Sequence, residues 1–159
     1  MDITFKIADY SDIEILVQLI GEFHEIEHLP FDEGTIRSLL AKLLKKDYLG
    51  RVSLIQDSGN VLAGSEAPNA IGYIVLTFGY SLEFLGRDAF IDELYIRESH
   101  RGQGIGTRAL QFIEQMCPSL GIQALHLEAD RKNTTAQAFY RKVGFEDHDR
   151  YLMTKWIAT

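Results

Sequence analysis

The hydrophobic pattern changes its period near Gly50, and this change limits the chain to folds that contain both helices and a sheet. Before it, apolar residues recur every three or four positions, the spacing of one helix face: Ile13, Leu16, Ile20 and Phe23, then Ile36, Leu39, Leu40, Leu43 and Leu44. After it, residues 51–56, 70–82 and 89–96 are apolar segments bounded by glycine and polar residues, which is typical of strands. The chain is therefore predicted to be an α/β protein.

The remaining segments complete a predicted element order of β-α-α-β-β-β-α-β-α-β. A first strand is predicted at 3–8, and the later elements are a helix at 104–117, a strand at 124–129, a helix at 134–143 and a last strand at 151–157. Ser11 and Glu14 have the spacing of a capping box for the first helix, and Asp32 is placed to cap the second. Two hairpins, one of them turning at 86–88, precede a single crossover, which predicts a mixed, mostly antiparallel sheet flanked by helices. Since no linker interrupts the pattern, one domain is predicted over residues 1–159.

The composition is that of an acidic globular protein. The chain has 159 residues, the size of one domain, and a formal net charge of −7. Binding to a phosphate backbone needs clustered Lys and Arg, so this charge argues against nucleic acid as the main partner. An acidic surface attracts a cationic substrate, although solubility alone also explains the charge.

No sequence feature indicates a membrane, an oxidising compartment or a metal. No apolar run approaches the ~18–20 residues that span a bilayer, and the amino-terminal residues carry early acids without an apolar signal segment. The single cysteine, Cys117, has no internal disulfide partner and is interpreted as packing. The five histidines show no metal-ligand spacing. We expect a cytoplasmic protein without membrane contacts and without a bound metal.

A glycine-rich turn, RGQGIG at residues 101–106, joins a predicted strand to a predicted helix. Glycines let backbone N–H groups approach an anion closely, and the helix end adds unpaired donors and partial positive charge. The turn therefore predicts a phosphate or pyrophosphate site, although a tight turn built for geometry alone has the same residues. A dinucleotide-binding turn would have a third glycine at Thr107, and a P-loop would have Gly-Lys-Ser/Thr.

A second segment, NTTAQAFYRKVGF at residues 133–145, places Asn133 just before a predicted helix. Ala136, Phe139 and Tyr140 fall on one side of that helix, at spacings of three and four. Taken alone, this is a surface helix with a small apolar stripe, in which a tyrosine is more often packing than catalytic.

The two segments together resemble the GCN5-related N-acetyltransferase (GNAT) family. The family's turn pattern, Arg/Gln-x-x-Gly-x-Gly/Ala, is filled by Arg101, Gly104 and Gly106, after the strand IDELYI at 91–96. Its later pattern of an Asn, an aromatic-Tyr pair and Gly-Phe is filled within 133–145. The resemblance covers most of the chain, is strongest over residues 89–145, and implies the GNAT fold and an acetyl-CoA-dependent N-acetyltransferase.

The resemblance also implies a role for individual residues. The turn would hold the pyrophosphate of acetyl-CoA, the end of the preceding strand would pair with the pantetheine arm and polarise the acetyl carbonyl, and Asn133 would hydrogen-bond the pantetheine. Tyr140 would protonate the departing thiolate. The acetyl-CoA contacts implied are Leu94, Tyr95, Ile96, Arg101, Gly102, Gln103, Gly104, Ile105, Gly106, Thr107, Asn133, Ala136 and Phe139.

Proton transfer limits both ends of the reaction. An unperturbed tyrosine has a pKa of about 10 and a thiol one of about 8.5, so Tyr140 helps only if the proton moves while charge develops or if its pKa is lowered. The attacking ammonium must lose a proton, and Asp92 or Glu93 could accept it. As neighbours on one strand, these two acids are expected to face opposite sides. In diamine acetyltransferases of the family the first acid of such a pair often acts as the base, which favours Asp92. The longer side chain of Glu93 favours Glu93 instead. Either acid could also be only solvated or salt-bridged.

The family resemblance implies that the acceptor side is lined by the first two helices and the loop between them, where Glu22 and His24 also lie. The candidate substrate-binding residues are Glu25, Glu27, His28, Tyr80 and Glu83, with Phe84 nearby. Acidic groups there suit a cationic amine, although charged residues on a helix are more often simply solvated.

The leading hypothesis is therefore direct transfer of an acetyl group from acetyl-CoA to the primary amine of a small cationic or amino-acid-like molecule. Acetylation of a protein lysine or N-terminus is an alternative, and a non-catalytic acyl-CoA-binding module is another. A nucleotide-dependent oxidoreductase is disfavoured because Thr107 replaces the third glycine. The family resemblance also suggests a homodimer, to which the long strand predicted at 70–82 could contribute.

Overall fold

The computed structural model describes residues 1–59, 64 and 67–158. These divide into two compact units, Met1–Leu127 and Glu128–Thr159. Of the segment between the strands predicted at 51–56 and 70–82, residues 60–63 and 65–66 lie outside the described residues. The single domain stays a prediction. Of the helices in the part of the chain that is described, none has both the length and the apolar character needed to cross a bilayer.

The first unit is built on a five-stranded mixed sheet. Its elements are β1 (Ile3–Ile7), α1 (Ile13–Ile26), α2 (Glu33–Lys45), β2 (Gly50–Asp57), β3 (Asn69–Ser81), β4 (Gly86–Ile96), α3 (Ile105–Met116) and β5 (Ile122–His126). The strands lie in the order β1-β2-β3-β4-β5, and every neighbouring pair is antiparallel except β4 and β5, which are parallel. In the second unit, α4 spans Thr134–Lys142. The predicted α/β class and the mixed, mostly antiparallel sheet are confirmed.

The core forms where α1 and α2 cover one face of the sheet. Leu16 and Leu19 of α1 are fully buried in a cluster that also contains Tyr73 and Val75 of β3. Successive strand residues point to opposite faces, and Ile74 is also buried, so both faces at the centre of the sheet are covered. The helical spacing of the apolar residues in α1 is thus explained by packing on β3.

Leu19→Ala should lower the free energy of unfolding by about 2–5 kcal/mol, because it removes fully buried methyl groups and leaves a cavity. Urea denaturation followed by circular dichroism would measure the loss. Leu39→Ala is the matched control, since Leu39 on α2 is 59% exposed. Equal losses in the two variants would contradict this placement of the core.

Two local features differ from those predicted. The strand predicted at 151–157 is wrong: residues 151–158 form no strand, and Met153 and Trp156 are 88% and 91% exposed. Apolar residues in a short segment show that it could be half-buried, but a strand also needs a partner strand, which the segment itself does not specify. The β3–β4 turn lies at 82–85, before the predicted position, and Leu85 adopts the left-handed conformation there (φ 64°).

The predictions for the caps of the first two helices are confirmed in part. The capping box precedes the predicted one: Asp9 accepts from the backbone N–H of Ser11 at 2.9 Å, and Asp12 accepts from that of Asp9 at 3.0 Å. Glu14 instead binds the guanidinium of Arg37 from α2. Asp9 and Asp12 have the same three-residue spacing as Ser11 and Glu14, and an aspartate is as effective a cap as a serine. Asp32 caps α2 as predicted.

Candidate active site

The glycine-rich turn lies between the end of β4 and the start of α3, as predicted. Gly102 and Gly104 have φ values of 74° and 78°, in the left-handed region that favours glycine. Gly104 is the N-cap of α3, and the first backbone bond of the helix runs from the N–H of Arg108 to the Gly104 carbonyl. The N–H groups of the first helical turn before Arg108 therefore have no partner within the helix and can bind an anion.

Among the described residues of Met1–Leu127, no strand pairs with one edge of the carboxyl half of β4. On the β5 side, β4 pairs from Arg87 only as far as Phe90. On the other side, the backbone N–H of Arg97 donates to Ile71, which continues the ladder with β3. The alternation of an antiparallel ladder then turns the N–H and C=O of residues 94 and 96 away from β3, toward the open edge.

The three predicted pantetheine residues therefore differ in what they offer. Leu94 presents its backbone groups at the open edge. The Ile96 carbonyl, also on that edge, accepts from Nε of Arg101 at 2.8 Å, so the glycine turn is tied directly to the strand end. Tyr95 faces β3 with its backbone groups, and its side chain is buried. An extended ligand could pair with this edge as an additional strand.

A β-bulge in β4 isolates Asp92 from the ladder. Val75 pairs with Glu93 and the next residue of β3, Leu76, pairs with Ile91, so Asp92 is the extra residue. Ile91 and Glu93 consequently face opposite sides of the sheet, although they are two positions apart. The extra residue interrupts the alternation on which the expected opposite orientation of Asp92 and Glu93 depended, so strand alternation does not determine the side that Asp92 faces.

Glu93 is the centre of a buried hydrogen-bond network. One oxygen accepts from the hydroxyl of Tyr73 at 2.9 Å, and the other lies 2.6 Å from Nε2 of His24 on α1. Nδ1 of His24 lies 2.9 Å from the Pro30 carbonyl, in the α1–α2 loop. Tyr73 is fully buried and His24 is 9% exposed. Sequence reasoning gave Tyr73 no separate role, because it lies within the apolar segment 70–82 that was predicted only as a strand.

The surroundings change the acid strength of these groups. Desolvation raises the pKa of Glu93, and the neighbouring His24 and Tyr73 act in the opposite direction. Desolvation also raises the pKa of Asp92, with His24 again opposing it. Burial and the Glu93 charge raise the pKa of Tyr73 further above its usual value, so its hydroxyl keeps its proton and donates to Glu93.

In the second unit, Asn133 and Tyr140 occupy the two ends of α4. The Oδ1 of Asn133 accepts from the backbone N–H of Ala136 at 3.0 Å and caps the helix, which leaves its amide N–H groups to donate elsewhere. The Tyr140 ring lies 5.4 Å from that of Phe139 and 5.9 Å from that of Phe145. Burial raises the pKa of Tyr140. Its hydroxyl is therefore protonated at neutral pH and able to donate.

The acceptor candidates on α1 and the following loop are not equivalent. Glu25, Glu27 and His28 are exposed. Glu22 instead accepts two hydrogen bonds at 3.0 Å from the guanidinium of Arg97, so it is held in an ion pair. The exposed acids are compatible with binding a cation and equally with simple solvation.

The other two acceptor candidates are exposed: Tyr80 lies near the end of β3, and Glu83 lies in the β3–β4 turn. Tyr80 is five residues along β3 from Val75, the partner of Glu93, which is a separation of roughly 16 Å along a strand. The structure therefore does not bring Tyr80 next to the acidic pair.

Within the described ranges, no three His, Cys, Asp or Glu side chains are grouped as a metal site needs, and the absence of a metal stays a prediction.

Comparisons with known proteins agree on one family. The profile of the Acetyltransferase (GNAT) family matches residues 21–145. A thialysine N-epsilon-acetyltransferase of Bos taurus is 26% identical over 144 residues, covering 88% of this chain and 82% of that protein.

Solved structures show the same fold. An integron cassette protein from the mobile metagenome of Cole Harbour Salt Marsh superposes with a TM-score of 0.80 and 32% identity, over 98% of this chain and 91% of that one. A predicted acetyltransferase from Clostridium acetobutylicum, solved with acetyl-CoA, gives a TM-score of 0.76 at 19% identity, over 97% and 96%. The matched region of the sequence contains both motifs and the acidic pair. The chain belongs to the GNAT acetyltransferase family and is an N-acetyltransferase.

Proposed function

We propose that the protein transfers the acetyl group of acetyl-CoA to the primary amine of a small cationic or amino-acid-like molecule by direct attack. The observation that carries this proposal is the continuity of three features within the first unit. The acidic pair at 92–93, the open edge of β4 and the glycine turn at 101–106 follow one another along the chain. A thioester bound along that edge, with its pyrophosphate at the turn, would have its reactive end toward the acids.

The donor would be held mainly by backbone groups. The N–H groups of residues 105–107 at the start of α3 would bind the pyrophosphate, and Leu94 would pair with the pantetheine arm. A backbone N–H at that edge would polarise the acetyl carbonyl, as an oxyanion hole does. Asn133 would use its free amide hydrogens on the pantetheine. The similar protein from Clostridium acetobutylicum was solved with acetyl-CoA, which supports this donor.

Asp92 is the better candidate for the proton acceptor. Both oxygens of Glu93 already accept or share a proton, from Tyr73 and from His24. Asp92 is exposed at the bulge and is outside the backbone ladder. An alkyl ammonium has a pKa of about 10.4, so its proton must be removed before the nitrogen attacks. The C–N bond then forms, the C–S bond breaks, and Tyr140 donates to the departing thiolate.

A small amine acceptor is supported by charge and by relatives. The formal net charge is −7, and the exposed acids at the end of α1 suit a cation. A similar Bos taurus protein is named for acetylating thialysine, which is a small amino acid with a side-chain amine. Acetylation of a protein lysine or N-terminus, or binding of acyl-CoA without turnover, would be the alternatives.

Release of CoA measured against a panel of small amines, amino acids and peptides tests the proposal. We expect turnover with at least one small amine and weaker or no turnover with peptides. Preferential turnover of peptides would favour a protein acetyltransferase. Calorimetric binding of acetyl-CoA without turnover of any amine or peptide would favour the binding module and overturn the proposal.

Asp92→Asn should lower kcat/KM at neutral pH by about 100-fold, the low end for loss of a positioned base. A solvated aspartate has a pKa of about 3.9. Because desolvation raises the pKa of Asp92, its carboxyl keeps its proton to a higher pH than that. Activity of the wild type should therefore fall on acidification at a pH above that value, and the variant should lose this acid limb. The measurement is kcat/KM against pH, with the exposed Asp47→Asn as control. An unchanged acid limb in Asp92→Asn would remove Asp92 from this role.

We also propose a single functional domain over residues 1–159, a homodimer and a cytoplasmic location, as the sequence predicted. Static light scattering of the purified protein tests the dimer, and a monomeric mass would overturn it.

A further inference from the structure

The contacts of His24 determine where its protons lie. A carbonyl only accepts, so the Nδ1 that faces the Pro30 carbonyl at 2.9 Å must carry a hydrogen. Nε2 lies 2.6 Å from a Glu93 oxygen, a distance that requires one proton between the two atoms. That proton can belong to the imidazolium or to the carboxylic acid. The net charge of the pair is zero in both cases.

The same residue also holds the loop between α1 and α2, through its side chain and through its backbone carbonyl. The Pro30 carbonyl of this loop accepts from Nδ1 of His24, and the backbone N–H of Leu29 donates to the His24 carbonyl at 2.8 Å. The ring of Phe31 lies edge-on to His24 at 6.1 Å, and it packs on Gly21 so closely that a Cβ there would lie 3.2 Å from the ring. His24 is thus a contact shared by the loop and by Glu93 on β4.

We propose that His24 is a positioning residue for acetyl transfer: it engages Glu93 in a neutral pair and anchors the α1–α2 loop, so that the acceptor amine meets Asp92. This role rests on the proposed function. The ionisable groups that face Glu93 are His24 from α1, Tyr73 from β3 and Asp92 on its own strand. Since the His24–Glu93 pair has no net charge and Tyr73 keeps its proton, Asp92 is the one of these groups left to carry an uncompensated negative charge.

Two substitutions separate the two contacts of His24. In His24→Asn the amide can occupy the place of Nδ1 and keep the bond to Pro30, whereas in His24→Gln it can occupy the place of Nε2 and keep a donor to Glu93. Neither amide supplies a positive charge. Once Glu93 loses its own proton in either variant, its negative charge is therefore uncompensated, which raises the pKa of Asp92 and moves the acid limb of kcat/KM to higher pH. Only His24→Gln should also raise the KM of the amine, by about tenfold for one lost anchoring hydrogen bond.

The double variant His24→Gln with Glu93→Gln supplies the rescue. It removes the uncompensated charge, so the acid limb should return toward that of the wild type while the KM of the amine stays raised. Acetyl-CoA affinity, measured by calorimetry, should be unchanged in all three variants. Gln18→Ala, an exposed change on the same helix, is the control.

Three results would overturn the role of His24 while the proposed function stands: an acid limb that stays in place in both single variants, an equal KM in both, or a double variant that is not rescued. Long-range ¹H–¹⁵N spectra of the wild type give a test independent of turnover. They should show a protonated Nδ1 on His24, and an unprotonated Nδ1 would contradict the inference. Lack of turnover by the wild type on every amine would instead count against the proposed function.

Discussion

Tyr140→Phe should lower kcat by about 10- to 10⁴-fold, the range for loss of a general acid, while the affinity for acetyl-CoA stays nearly unchanged. The substitution removes one hydroxyl and keeps the ring that packs with Phe139 and Phe145. Burial raises the pKa of Tyr140, which disfavours the route in which a lowered pKa makes it a strong acid. The hydroxyl would therefore donate to sulfur while negative charge develops in the transition state.

Single-turnover kinetics and calorimetry with acetyl-CoA would measure the two effects separately. Tyr151→Phe is the matched control, since Tyr151 belongs to the same unit and is 81% exposed. The dependence on leaving group gives a second test, because donors whose thiols have a lower pKa need less protonation and should be less affected. Unchanged turnover in Tyr140→Phe would remove the residue from its proposed role.

Gly104→Val should weaken acetyl-CoA binding by about 100-fold or more. Valine is strained at the φ of 78° that Gly104 adopts, so the turn must rearrange and the N–H groups at the start of α3 must move. Two charge-assisted hydrogen bonds to a pyrophosphate at about 1.5 kcal/mol each give a loss of that size. A Cβ at Gly104 would meet open space, so the cause is backbone conformation and not a clash within the protein.

Gly121→Val is a closely matched control for the turn. Gly121 has a φ of 69°, a Cβ there would also meet open space, and it lies between α3 and β5 and outside the proposed site. Both valine variants should lose similar stability in urea, but only Gly104→Val should lose affinity in calorimetry. Equal acetyl-CoA affinity in the two variants would mean that the turn does not bind the pyrophosphate.

Most of the fold was predictable because each element carries its own signal. The period of Leu16 and Ile20, the cap at Asp32 and the glycines at 102 and 104 act within a few residues of one another. The glycine turn is found where it was predicted, with two of its glycines in the left-handed conformation that explains their presence. The strand predicted at 151–157 failed because its formation depends on a partner strand that local sequence does not specify.

The sequence by itself determined the type and order of the elements, the two spaced motifs and, through them, the family and the acetyltransferase activity. Only the tertiary structure decided how the acidic pair is placed and what it contacts. The bulge at Asp92 arises from the pairing of β3 with β4, and the network around Glu93 joins His24 to a residue 69 positions away. Such contacts depend on strand register and on helix packing, which are properties of the assembled sheet and helices and leave no periodic signal in the chain.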